Sequence, residues 1–350
     1  MWRACVNRVL AGWAGLAILG SGIALAQNQV PSAAPAKPPA SAEAPGLNRD
    51  ILHVQVILDQ LGFSPGILDG REGQSLTAAL TGFQIARQLP VTGKMDQRTL
   101  QALHPHRAIR PTRILRLTAD SLAGPFVRPW PRDPQAQAKL QAMGYRSAIE
   151  KLAEMFHTTP QVLIELNSPD TRLAPGVPVQ VPNAVPASRD YPADFKPEWR
   201  KTLNDLNVSA IQPKAGRIVV DKSDKVLRVF DRQGKLAAQF SVTTGSTRDP
   251  LPIGSWKVLG IATNPDFHYN PKLFWDVSDK KPKVLLPPGP NSPVGVVWID
   301  LSKPHYGIHG TPEPHLIGRM QSHGCVRLTN WDAARLALMV EPGTAVIFQE

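Results

Sequence analysis

The densest run of reactive side-chain types in this 350-residue chain lies near its C-terminus, at Tyr306-Gly307-Ile308-His309-Gly310-Thr311 and Ser322-His323-Gly324-Cys325-Val326-Arg327-Leu328. A thiol becomes a nucleophile when it loses its proton, and a neighbouring imidazole can take that proton and stabilise the anion left behind. Two histidines and one arginine compete for that place. His323 stands two residues before Cys325, so an extended backbone would put both on one face, whereas His309 would reach across from the preceding strand. Spacing leaves either as the base. Gly324 has no Cβ where a substrate carbonyl would approach, and its amide with that of Cys325 could hold a developing oxyanion. Attack on a carbonyl by sulfur is the chemistry this set suits. A zinc site made from His309, His323 and Cys325 matches no common zinc spacing, so no metal is expected. Ser278-x-x-Lys281 has the form of a serine acyltransferase motif without its companions, and His305 and His315 read as surface or loop residues.

Compartment strengthens the chemical reading of the thiol. Arg3 and Arg8 precede an apolar stretch from Val9 to Leu25, and Ala24-Leu25-Ala26 supplies a small-x-small cleavage pattern, so residues 1–26 read as a cleaved signal peptide, with an uncleaved anchor as the alternative. The chain has two cysteines, and removing the leader takes away Cys5 and leaves Cys325. One thiol in an exported chain cannot form an internal disulfide and is exposed to oxidation, which invites a chemical reason for it. Basic residues exceed acidic ones by 11 in the whole chain; the leader holds two arginines and no acid, so the mature surplus is nine. Such a surplus attracts a polyanion. Export and the lack of a recognition motif exclude nucleic acid, leaving an anionic envelope polymer.

The elements that must position these residues follow from hydrophobic pattern. From Arg217 onward the alternation of strands sets in, at Ile218, Val220, Val226, Val229 and Leu236 to Val242, with turns at Lys222 to Asp224 and Asp231 to Gly234. Further strands are expected at Gly254 to Ala262, Val296 to Asp300 and Thr344 to Phe348, and one amphipathic helix at Asn330 to Val340. Residues 215–350 are thus expected to form a mostly β domain. Upstream, residues 27–47 are rich in alanine and proline and read as a disordered tether. Ile51, Val54, Leu58 and Leu61 begin a three-helix module over residues 48–105. Residues 106–140 read as a linker with one strand at Arg113 to Leu117, residues 141–184 as a small α+β module, and residues 185–214 as a connector. Asn264 to Trp275 concentrates aromatics in a loop that either covers the active site or packs on itself. The 35 prolines exclude a long helical bundle, while 42% hydrophobic residues suffice for several cores.

Three resemblances refine this outline. Leu61-Gly62-Phe63-Ser64-Pro65-Gly66-x-x-Asp69-Gly70, Ala79-Leu80-x-x-Phe83-Gln84 and Leu89-Pro90-Val91-Thr92-Gly93-x-x-Asp96 resemble the three-helix peptidoglycan-binding domain. Ile149, Leu152, Phe156, Val162, Leu163 and the turn and strand from Leu173 to Asn183 are similar to the second half of a lysin motif. His309-Gly310-Thr311 followed by Ser322-His323-Gly324-Cys325-Val326-Arg327-Leu328 resembles the signature of the L,D-transpeptidase (YkuD) catalytic domain, over nearly all of residues 215–350.

The resemblance implies a multidomain chain: three-helix peptidoglycan-binding domain, lysin-motif-like module and catalytic β-sandwich. It implies a cysteine acyltransferase with Cys325 as nucleophile and His309 as general acid/base, oriented by the Gly310 carbonyl. His323 and Gly324 would shape the site, and Tyr306, Ser322 and Arg327 would contact substrate. The substrate would be a peptidoglycan stem tetrapeptide, cleaved before its terminal D-alanine. The acceptor would be a second stem peptide, water or a lipoprotein lysine. Carbapenem-type β-lactams are expected to acylate the thiol, no cofactor is required, and the setting is periplasmic or otherwise extracytoplasmic. The competing class is a non-catalytic wall-binding scaffold.

Overall fold

The computed structural model describes residues 46–271, 282–320, 322 and 324–350. The leader, nearly all of the tether, the 272–275 end of the aromatic loop, Ser278, Lys281 and His323 lie outside the described residues.

The N-terminal module comprises α1 (Arg49–Gln60), the short strand β1 (Phe63–Ser64), α2 (Gln74–Ala86) and α3 (Gln97–Leu103). Asn48 caps α1 by accepting from the amides of Asp50 and Ile51, and Asp96 caps α3 by accepting from that of Thr99. Such caps satisfy amides that a helix start leaves without partners. Ile57, Leu58, Phe63, Leu80 and Phe83 then close one apolar core.

The middle module contains β2 (Thr112–Arg116), α4 (Pro134–Gln137), α5 (Ala148–Met155), α6 (Pro160–Leu166) and β3 (Pro178–Pro182). β2 and β3 pair antiparallel, and Leu117, Leu152, Phe156, Leu163 and Val181 pack together against them. The unit therefore starts in the stretch expected to be linker. β2 finds its partner only beyond three helices, and a pairing at that separation leaves no mark in the local pattern. Residues expected to be a connector contain α7 (Pro197–Asp205), whose Trp199 and Leu203, together with Leu206, enter the C-terminal core. Their spacing of four and three residues is the helical period.

The C-terminal region supplies β4 (Arg217–Asp221), β5 (Val226–Phe230), β6 (Leu236–Ser241), β7 (Gly254–Thr263), β8 (Phe267–Tyr269), β9 (Val284–Leu286), β10 (Val297–Leu301), β11 (Gly307–His309), β12 (Val326–Arg327), α8 (Asn330–Met339) and β13 (Ala345–Gln349). Among the described residues the large sheet has nine strands in the order β1-β6-β5-β4-β13-β7-β10-β11-β12. A bridge from Thr243 to Arg327 brings the chain beyond β6 against β12, so the sheet curls round a core containing Phe240, Ile299, Ile308, Trp331 and Leu336. β8, inside the aromatic loop, forms a separate antiparallel pair with β9 beyond it.

Residues Pro45–Glu350 form one compact unit rather than modules strung on linkers. The N-terminal module contributes β1 to the sheet, parallel to β6. Behind it, Ser64 Oγ donates to Asp332 Oδ2 at 2.8 Å, and Gln239 Nε2 donates to the Ala78 carbonyl at 2.6 Å. Gly82 is needed for that approach, because a Cβ there would lie 2.7 Å from the Gln239 side chain. Deeper, His157 stacks on Trp331 with ring centres 5.0 Å apart, and its Nε2 donates to the Leu206 carbonyl at 2.9 Å. Asp59 faces both His157 and Arg335 in this buried cluster. Burial alone would raise its carboxyl, but the Arg335 guanidinium and His157 more than offset that and hold it well below the usual carboxylate range.

Candidate active site

β10, β11 and β12 carry the reactive residues. Trp298 pairs with His309 across the antiparallel β10–β11 ladder, and Ile308 and His309 pair with Val326 and Arg327 across the parallel β11–β12 ladder. Ile308 and Val326 point into the core. By the two-residue period, His309 and Arg327 share the opposite face, and Cys325 lies in the bend directly before β12.

His309 is buried, and its Nδ1 lies 2.7 Å from the Gly310 carbonyl oxygen. A carbonyl can only accept, so Nδ1 carries the proton and Nε2 is left as the basic nitrogen. The ring also stacks on Trp298, with centres 5.5 Å apart and planes 20° from parallel. Trp298 can lie there because Gly307 has no Cβ; one would sit 2.4 Å from the indole. Burial first, then the positive charge of Arg327, brings the imidazole pKa down to about 3, against the bond to Gly310. The ring is neutral near pH 7.

Cys325 is half-buried, with Sγ 3.9 Å from the carbonyl oxygen of His305. Burial pushes its pKa up, opposed by the Gly307 amide and by Arg327. The sulfur therefore rests as a thiol. Burial lowers the Arg327 pKa, opposed by Cys325 and Glu313. Its Nε is buried without a hydrogen-bond partner among the described residues.

The remaining expected residues fall around this pair as follows. The Gly310 carbonyl meets the His309 ring as expected from the motif. Gly324 takes φ of +102°, and the Tyr306 ring occupies the side where a Cβ would project, 2.8 Å from Cε1. Its lack of a side chain thus admits Tyr306 directly. Ser322 is buried and donates from Oγ to the Cys325 carbonyl at 2.6 Å, bracing the turn that presents the sulfur. His323 lies outside the described residues. His305 presents its backbone carbonyl to the sulfur, and His315 is exposed.

Two residues of this neighbourhood were not singled out from sequence as site residues. Trp298 stacks on His309, and the only signal for it was an aromatic in the expected strand before the motif. Asn330, read merely as a helix start, has its Oδ1 within 2.3 Å of where a Gly310 Cβ would be. A cleft of about 610 Å³ also runs between the start of α2, the ends of β5 and β6 and the loop Pro314–Arg319, but neither Cys325 nor His309 lines it.

Comparison with known proteins agrees with this architecture. Residues 215–348 match the family described as "L,D-transpeptidase catalytic domain", and residues 48–103 the family described as "Putative peptidoglycan binding domain". The chain is similar to the "Putative L,D-transpeptidase YkuD" of Bacillus licheniformis, 31% identical over 130 residues that cover 37% of this chain and 63% of the relative. It is similar to the protein of the same name in Bacillus subtilis, 51% identical over 57 residues covering 16% of this chain and 35% of that one. The chain therefore spans less than two thirds of these curated relatives. Among solved structures, an L,D-transpeptidase from Mycobacterium smegmatis aligns at 20% identity with a TM-score of 0.31, covering 38% of this chain and 58% of that one.

Proposed function

From an L,D-transpeptidase catalytic domain over residues 215–348 joined to a peptidoglycan-binding domain over residues 48–103, we propose that this protein transfers the acyl group of a peptidoglycan stem tetrapeptide through a Cys325 thioester, outside the cytoplasm. What supports the reading is that His309 pairs across the ladder with Arg327, two residues beyond Cys325, with Nδ1 of His309 committed to Gly310 and Nε2 left basic.

In the first step the thiol proton passes to His309 Nε2 as sulfur attacks the carbonyl before the terminal D-alanine. Resting thiol and imidazole are both neutral, so the ion pair forms as charge moves onto the substrate, and Arg327 favours the anionic sulfur. The tetrahedral oxyanion collapses, His309 gives the proton to the leaving amine, and D-alanine departs from a thioester. In the second step an acceptor amine attacks the thioester, loses its proton to His309 and leaves an amide, while the thiol regains its proton. The Arg327 guanidinium supplies the positive charge that would attract a substrate carboxylate. Tyr306 walls the site beside Gly324, and residues 141–184 act as a lysin-motif-like support.

The deciding experiment incubates the mature protein with defined tetrapeptide muropeptides and resolves the products by mass. Crosslinked dimers with loss of D-alanine support transfer, tripeptides support an L,D-carboxypeptidase, and neither product supports a scaffold. A carbapenem adduct on the peptide containing Cys325 would locate the acylated atom independently of any wall substrate.

A further inference from the structure

The sequence presents the middle module as an accessory to the catalytic domain, yet one of its carboxyls is joined to the histidine's support. Glu154, near the end of α5, is buried. Its Oε2 accepts from Tyr145 Oη at 2.9 Å, and Asn330 Nδ2 donates to its Oε1 at 3.0 Å. Asn330 Nδ2 also donates to the Pro290 carbonyl at 3.0 Å, and its Oδ1 accepts from the Val296 amide at 3.3 Å. That amide group is wedged against two backbone segments: Cβ atoms built on Gly295 and Gly310 would lie 2.0 and 2.3 Å from Asn330 Oδ1. Gly310 is the residue whose carbonyl accepts the hydrogen bond from His309 Nδ1.

We infer that Glu154 is a positioning residue for the proposed acyl transfer: it fixes Asn330, which holds Gly310 and through it the tautomer and orientation of the His309 imidazole. The middle module is then part of the catalytic scaffold, whatever it binds. An unheld Asn330 can rotate, since its remaining bonds are to single backbone groups, and the Gly310 peptide loses the wall it rests on. The imidazole of a general base has to be held closely, and a misplacement of about 1 Å can lower turnover by up to about 10²-fold. Burial pushes the Glu154 carboxyl up to about 8, against its bonds from Tyr145 and Asn330, so glutamine, neutral and of the same shape, is the conservative replacement.

The inference rests on the proposed reaction, and its test separates the two. In the full mature chain, Glu154→Ala is compared with Glu154→Gln, Tyr145→Phe and Leu152→Ala, the last a control that damages the same module's core without touching Asn330. Two readouts are taken: kcat and KM for release of D-alanine, and the pH profile of Cys325 alkylation by iodoacetamide, which needs no wall substrate. Glu154→Ala is expected to lower kcat by tenfold or more at unchanged KM and to displace the alkylation profile. Glu154→Gln should return both towards wild type, and Tyr145→Phe should move both a smaller way in the same direction. Leu152→Ala should lower the melting temperature and leave the profile in place. Should Glu154→Ala fail to fold, the Gln and Phe variants carry the test. An alkylation profile indifferent to Glu154 and Tyr145, or displaced equally by Leu152→Ala, overturns the inference. A displaced profile in a protein that turns over no muropeptide would sustain it and overturn the reaction instead.

Discussion

Arg335 on α8 donates to both carboxylate oxygens of Asp59 on α1, at 2.7 and 2.9 Å, and both side chains are buried. The pair joins the first helix of the described chain to the last, beside the His157–Trp331 stack. A charge taken out of water depends on its partner, so the catalytic sheet and the peptidoglycan-binding module are interdependent rather than tethered.

Removing one member of the pair should therefore cost more than removing both. Asp59→Asn is expected to destabilise by about 3–5 kcal/mol in urea, because Arg335 is left buried and incompletely paired. Asp59→Leu with Arg335→Met should recover much of that loss. A single variant within about 1 kcal/mol of wild type would mean that the pair is open to water. The carboxyl's folded pKa lies below its unfolded value of 3.8, so its contribution is present above that value and lost as pH falls through the folded one. The gap between wild type and Asp59→Asn should shrink in acid.

His309 should remain neutral where an ordinary histidine titrates. Its folded value of about 3 lies below the ordinary histidine value of 6.5, so between them the unfolded chain binds more protons and this residue's share of stability rises with pH. That share is complete above 6.5 and is lost on acidification towards 3. The imidazole carbon-bound proton in NMR should show no midpoint between about pH 5 and 8; a midpoint near 6.5 would show the ring to be solvated.

Arg327 should move two titrations in the same direction. Its charge lowers the pKa of both Cys325 and His309, so Arg327→Gln is expected to raise both. Iodoacetamide labelling of Cys325 should then slow at a given alkaline pH, while the His309 NMR midpoint rises. Movement of neither would place the guanidinium too far away to act.

Gly324→Ala should impair the site through Tyr306. The new Cβ would lie 2.8 Å from the ring at a backbone φ of +102°, a combination expected to cost about 1–3 kcal/mol. Adding Tyr306→Ala removes the collision and leaves the backbone strain, so the melting temperature should recover in part. Full recovery would assign the entire cost to the ring, and no recovery would assign it to φ.

Cys325→Ala should abolish thioester formation, by at least about 10³-fold in D-alanine release, while sedimentation with isolated wall is unchanged. Loss of sedimentation together with turnover would mean that the catalytic cleft itself supplies the affinity for wall.

The strands and helix around the candidate site and the two domain types were legible because each is written in neighbouring residues: short motifs, period-two and period-3.6 hydrophobicity, and capping residues before helices. β4 to β6 and α8 follow those signals. Pairings between distant segments carry no such mark. Neither the sharing of β1 with the catalytic sheet, nor β2's partnership with β3, nor the meeting of Asp59, His157 and Arg335 could be read from local pattern, because each is settled by which surfaces close on one another. Sequence determined that a thiol would stand near histidine and glycine in a β domain; the tertiary fold decided that His309 pairs with Arg327, two residues beyond that thiol, that Trp298 and Gly310 hold that ring, and that the upstream modules press against its supports. The reason is that burial and charge pairing act between surfaces, and those surfaces exist only after the chain has folded.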